Sequence, residues 1–188
     1  MASRDPGDAV ARFVEHLRTI TGCITQVPLT AQPTSAGTFQ VIFHGGSPVE
    51  LRTERDHPPI LLSVVHHCRP GPHPTMRGRY SVTSTYYAYE ILDLNEREIL
   101  VYHWHPAGVS PATEPHLHLS PSIAPVMVPS TGRSLQPIAL TDMHIPTGLM
   151  RMGDIVRVLI DDFKVRPLRR DWAAILARMY PSDVEATE

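Results

Sequence analysis

Nineteen prolines, about twice ordinary usage, punctuate this chain more strongly than any other residue type. They gather in 28–33, 58–59, 70–74, 106–115, 121–129 and 137–146. A proline inside a helix removes a backbone hydrogen bond and clashes with the preceding turn. Long helices are therefore confined to the two ends, and the middle must be built from short extended elements. Parallel strands would need crossovers of a dozen residues or more, and this spacing leaves no room for them. The class that follows is α+β: an antiparallel sheet of about five to seven strands, with an N-terminal helix and two C-terminal helices packed on it. A length of 188 residues with 42% apolar and 19% charged side chains suits one domain, 1–188, with a real core.

The ends carry helical periodicity. Asp5 is placed to cap a helix over 5–22, with Pro6 in its first turn and Gly22 at its stop. Its apolar stripe is Val10, Phe13, Val14 and Leu17, with His16 beside it on the surface. Near the other end, Met152, Ile155, Val156, Leu159, Ile160 and Phe163 mark one helix face. Pro167 breaks that helix, and Asp171 caps a second one with Trp172, Ile175, Leu176, Met179 and Tyr180 at the same spacing. The helical pair spans 150–180 and the sheet 38–145. Within the sheet, 38–43 and 49–53 flank Gly45-Gly46 and predict a short hairpin. An apolar run covers 58–67, and "HHC" at 66–68 reads as its end. Segments 79–92 and 98–105 predict a long hairpin turned at 93–97. Two further strands are expected at 115–120 and 136–145, around a Pro- and Ser-rich loop near 121–134.

Four of the eleven histidines fall within 103–118, as two H-x-H pairs, His103/His105 and His116/His118. Residues i and i+2 of a strand share a face. If the two strands pair, Leu100, Tyr102, Trp104, Leu117 and Leu119 form one face, and the four imidazoles with Ser120 form the other. A one-residue slip would bury the histidines and expose Trp104, so the apolar positions fix the register. Three chemistries compete for such a cluster. Neutral imidazoles suit a divalent transition metal such as Zn, with His144 (paired on one face with Asp142) as a further donor. Imidazoles that titrate near neutrality also suit acid–base chemistry on a phosphodiester or nucleotide. "HLHLS" resembles the H-x-[ST] and H-x-H strings of phosphoesterases and nucleotide hydrolases, but the chain lacks the third alternating His of the histidine-triad string and a clear second H-x-[ST]-x copy. The third reading is a polar sheet face that happens to carry imidazoles. Arg166, Arg169 and Arg170 form a cationic patch between the last two helices, with phosphate binding as one use and a solvated face as the other.

The rest of the composition narrows the class. Net charge is −2, so no general attraction to nucleic acid is built in. Cys23 and Cys68 make neither a C-x-x-C nor a disulfide framework. The N-terminal residues lack the apolar core of a signal peptide, and no stretch approaches the roughly 18 apolar residues of a membrane span. A soluble cytoplasmic protein with no membrane role is expected.

From Tyr86 to Asp162 the chain resembles the TumE-like toxin family of bacterial toxin–antitoxin modules. The shared features are a Tyr-rich strand, a turn, "EILVYHWH", a Pro-containing loop, "PHLHLS" and a following helix rich in Asp and branched apolar residues. The resemblance covers under half the chain. It implies a small cytoplasmic protein with a cognate antitoxin partner, and it matches His103, His105, His116 and His118 to that family's histidine-rich segment. The leading expectation is an intracellular bacterial protein acting on a nucleic acid or nucleotide phosphate. One imidazole would take a proton, a second would return it to the leaving oxygen, and arginine would hold the phosphate. The alternatives are a non-catalytic interaction or assembly subunit, and a metal-binding domain.

Overall fold

The computed structural model describes residues 2–34, 37–106, 112–119 and 145–179. The loop expected near 121–134 lies outside them, as do the strand expected over 136–145 except its last residue, and Ser120, Asp142, His144 and Tyr180.

Helix α1, Pro6–Thr21, starts where the sequence places it: the Asp5 side chain accepts from the Asp8 N–H. Its apolar stripe buries Val10, Val14, Leu17 and Ile20. Next come β1 (Leu29–Pro33), β2 (Phe39–Phe43), β3 (Val49–Leu51), β4 (Ile60–Pro72), β5 (Tyr80–Leu92), β6 (Glu98–Trp104), β7 (His116–Leu119) and β8 (Ile145–Pro146). Helices α2 (Met152–Asp161) and α3 (Trp172–Met179) follow. The strands join in one antiparallel sheet of order β1-β2-β4-β5-β6-β7-β8, with β3 also on β4. This is the expected α+β class with eight strands. The added strand is β1, whose flanking prolines read as loop. Proline is tolerated on an edge, and β1 lies at the end of the order, paired only with β2.

The short hairpin expected around Gly45-Gly46 does not form. Strands β2 and β3 both pair antiparallel with β4, Ile42 opposite Val65 and Val49 opposite Leu62. They run in one direction as a single interrupted strand along one side of β4. The two glycines hold the excursion between them in left-handed backbone, φ 90° and 76°, which glycine adopts without steric cost. The long hairpin does form, with Leu92 opposite Glu98 and Tyr87 opposite Trp104. Strand β4 runs on past "HHC" to Pro72. Beyond Cys68 it pairs with β5 alone, so the N–H that Pro70 lacks on its free side costs no ladder bond.

All three helices pack on one sheet face. The core joins Val14, Leu17 and Ile20 of α1 and Ile155, Val156 and Leu159 of α2 to Val41, Leu62, Val64, Tyr87, Tyr89 and Ile91. Helix α2 stops at Asp161, short of Phe163; Lys164 turns the chain with φ 56°, and Val165 then bridges to Thr53. A bulge between His67 and Cys68 sets the surplus residue Thr85 in β5. No described helix is long and apolar enough to cross a membrane.

Candidate metal centre on the histidine face

Strands β6 and β7 pair with His103 opposite His116 and Val101 opposite His118. Alternation along both strands then turns all four imidazoles to the face away from the helices. Tyr102 is buried in the core, and Leu100, Trp104 and Leu117 pack against it half-buried. Trp104 is thus less enclosed than the sequence implies. Leu119 lines a cavity beside His118 instead of joining the core.

The rings converge. Centroids lie 4.6 Å apart for His103–His105, 5.5 Å for His103–His116 and 4.8 Å for His116–His118. His103, His116 and His118 each offer one ring nitrogen, and these three atoms lie within 4.8 Å of one another. A tetrahedral Zn site with Zn–N near 2.0–2.1 Å brings its nitrogens to about 3.3 Å, so binding closes the 4.8 Å separation by up to about 1.5 Å through side-chain rotation. His116 is 2% exposed, and its Nδ1 lies 2.6 Å from the Glu114 carbonyl oxygen. A carbonyl only accepts, so Nδ1 carries the proton and Nε2 keeps its lone pair in the neutral ring. That carbonyl bond is the kind of outer contact that orients a metal-ligating histidine. His105 completes the group, its buried Nδ1 without a hydrogen-bond partner among the described residues.

Three residues that the sequence reading overlooked, Tyr86, Glu90 and Glu98, border the cluster. Tyr86 sits across from His67 in the β4–β5 register, with ring centroids 4.9 Å apart, and its hydroxyl lies 3.2 Å from His103 Nε2. Burial, and then the charge of Glu90, raise the Tyr86 phenol above its ordinary value, so it stays protonated. The hairpin register carried this signal: Ala88 faces His103, which puts Tyr86 on the same face two residues away. A cavity of about 310 Å³ opens beside His103 and His118, walled by Tyr86, Glu90 and Glu98.

The arginines are elsewhere. Arg166, Arg169 and Arg170 lie exposed in the α2–α3 connection. There the Arg166 N–H donates to the Arg52 carbonyl, the Leu168 N–H donates to the Cys23 carbonyl, and the Arg169 guanidinium pairs with Asp171 at 3.1 Å. That connection belongs to the helix side of the sheet, so the structure does not bring this patch to the imidazoles. Among the described residues, the charged side chains that line the histidine cavity are the carboxylates Glu90 and Glu98. An anionic wall favours a cation beside the imidazoles and disfavours a free phosphate. His144, the further donor expected from sequence, falls outside the described residues. Compared with family models, with curated proteins and with solved structures, the chain matches none, so nothing in those comparisons bears on the resemblance to TumE-like toxins.

Proposed function

We propose that this protein binds a divalent transition metal of the zinc class through His103, His116 and His118, with His105 flanking the ion. The observation that carries the reading is the approach of three imidazole nitrogens to within 4.8 Å on two paired strands. Imidazoles contribute no charge, so three of them leave the full positive charge on the ion. Such a centre polarises a water or a substrate oxygen at its open position. Glu90 and Glu98 wall the adjoining cavity and suit a neutral or cationic substrate better than a phosphate ester. Acid–base attack on a nucleotide phosphate, the leading expectation from sequence, draws less support because no arginine lines that cavity among the described residues.

Calorimetric titration with zinc tests the reading. The parent protein should bind one ion, and His118→Ala should weaken binding by 100-fold or more while circular dichroism stays unchanged. Affinity should fall on acidification, because ligating nitrogens must be deprotonated. A metal-free phosphate site would show the reverse, since protonated imidazoles attract the anion. Absence of zinc binding at micromolar concentration, or parental affinity in a His103→Ala/His118→Ala variant, overturns the proposal.

A further inference from the structure

A second constellation lies on the opposite face of the sheet, where α1 and the start of α2 cover β4 and β5. His66 is 5% exposed. Its Nε2 lies 2.8 Å from Ser84 Oγ and its Nδ1 lies 2.7 Å from the Tyr89 hydroxyl. These are the distances of a nucleophile, a base and the group that orients the base. The bulge makes the arrangement possible: with Thr85 as the surplus residue, Ser84 faces Cys68 and shares the helix side with Tyr87 and Tyr89. A cavity of about 220 Å³ opens on Ser84 and His66, with apolar walls from Phe13, Leu149, Met150 and Met152, and Arg151 also lines it.

We propose that Ser84 is a nucleophile activated by His66, in a site for esters of short apolar acids. Tyr89 is the positioning residue: by accepting the Nδ1 proton it holds the imidazole in the tautomer whose Nε2 can take a proton from Ser84. Burial of the His66 ring keeps it neutral, with its pKa pushed down to about 4, so the base is in its working form across neutral pH. In the first half-reaction Ser84 passes its proton to His66 Nε2 as Oγ bonds to the acyl carbon. The bond to the leaving alkoxide breaks with its electron pair, and the alkoxide takes that proton from His66. Water then gives a proton to His66 and bonds to the acyl carbon; the bond from that carbon to Ser84 Oγ breaks with its electron pair on the oxygen, Ser84 takes the proton from His66, and the acid leaves. Arg151 supplies a cation for the developing oxyanion. The apolar walls set the acyl preference.

A fluorophosphonate probe tests the proposal, because it reports the serine itself and is blind to metal-dependent hydrolysis on the histidine face. The parent should gain one phosphonyl group, mapped by mass spectrometry to Ser84, and His118→Ala should label equally. With chelator present, Ser84→Ala should lower hydrolysis of p-nitrophenyl butyrate by about 100-fold or more. Tyr89→Phe should lower kcat by tenfold or more at unchanged KM, an effect that a purely structural tyrosine would not produce. Failure of the folded parent to label at Ser84, or parental kcat in Tyr89→Phe, overturns the assignment. Variants at His66 are avoided as the primary test, because removing the ring takes a partner from the buried Tyr89 hydroxyl and the part-buried Ser84 hydroxyl and threatens folding.

Discussion

At the scale of single residues, His66 sets an acid limit on the fold. Burial first, and the neighbouring His67 second, press its pKa from 6.5 down to about 4. The unfolded chain therefore takes up this proton more readily than the folded one. The stability involved is fully present above pH 6.5 and is lost as the pH falls toward 4. The loss should reach about 2–3 kcal/mol by pH 4.5. Urea unfolding at pH 7 and 4.5 reads it as a difference between the parent and His66→Gln, which keeps polar groups but cannot titrate. Equal acid losses in the two proteins would show that His66 does not carry this dependence. The sequence disclosed the other histidines more readily. Two H-x-H pairs among aliphatic neighbours state their own facing, and the four imidazoles share one face as read, although His116 is buried there. His66 was concealed by Pro70 and Pro72, which mimic the end of a strand that runs on with one free edge. Its partners Ser84 and Tyr89 lie 18 and 23 residues away in the chain, beyond the reach of any local pattern.

Among the elements, α2 is the strongest case of sequence pattern becoming core. Met152, Ile155, Val156, Leu159 and Ile160 are all buried, and Ile155 and Leu159 are 0% exposed. Ile155→Asp places a carboxylate among α1 and sheet side chains and should cost on the order of 4 kcal/mol or more. That is a large part of the 5–15 kcal/mol that holds a typical domain. Arg157→Ser, on the exposed side of the same helix, should stay within about 0.5 kcal/mol. Thermal melts of the two variants separate core from surface, and a parental melt for Ile155→Asp would place α2 outside the core. Periodicity made this helix legible because one face meets one environment. The β2–β3 arrangement was not legible for a corresponding reason. Two short strands around a pair of glycines fit a hairpin as well as one interrupted strand, and only the long partner β4 decides between them.

For the whole molecule, the sheet separates two chemistries: imidazoles and carboxylates on one side, helices and the serine cavity on the other. Most of the topology was legible because β4 to β8 follow chain order, each strand pairing with the next. The side to which a loop belongs was not, and so the arginines of the α2–α3 connection were expected near a site from which the sheet divides them. Both faces depend on the β4–β5 ribbon, and Thr85 is the point at which its alternation changes reading frame. Counting straight back from Tyr87 assigns Ser84 to the wrong side; the surplus residue restores the phase. Thr85 is therefore the one position in β5 opposite β4 where a codon can be lost without scrambling inside and outside. Deleting Thr85 should yield a folded protein that still binds zinc. Deleting Thr83, which already has Arg69 opposite it, should throw Val82 and Tyr80 out of phase with the core and lower the melting temperature sharply. Natural length variation in this strand would then be tolerated at a single site, as a frameshift is harmless only where a compensating base already stands.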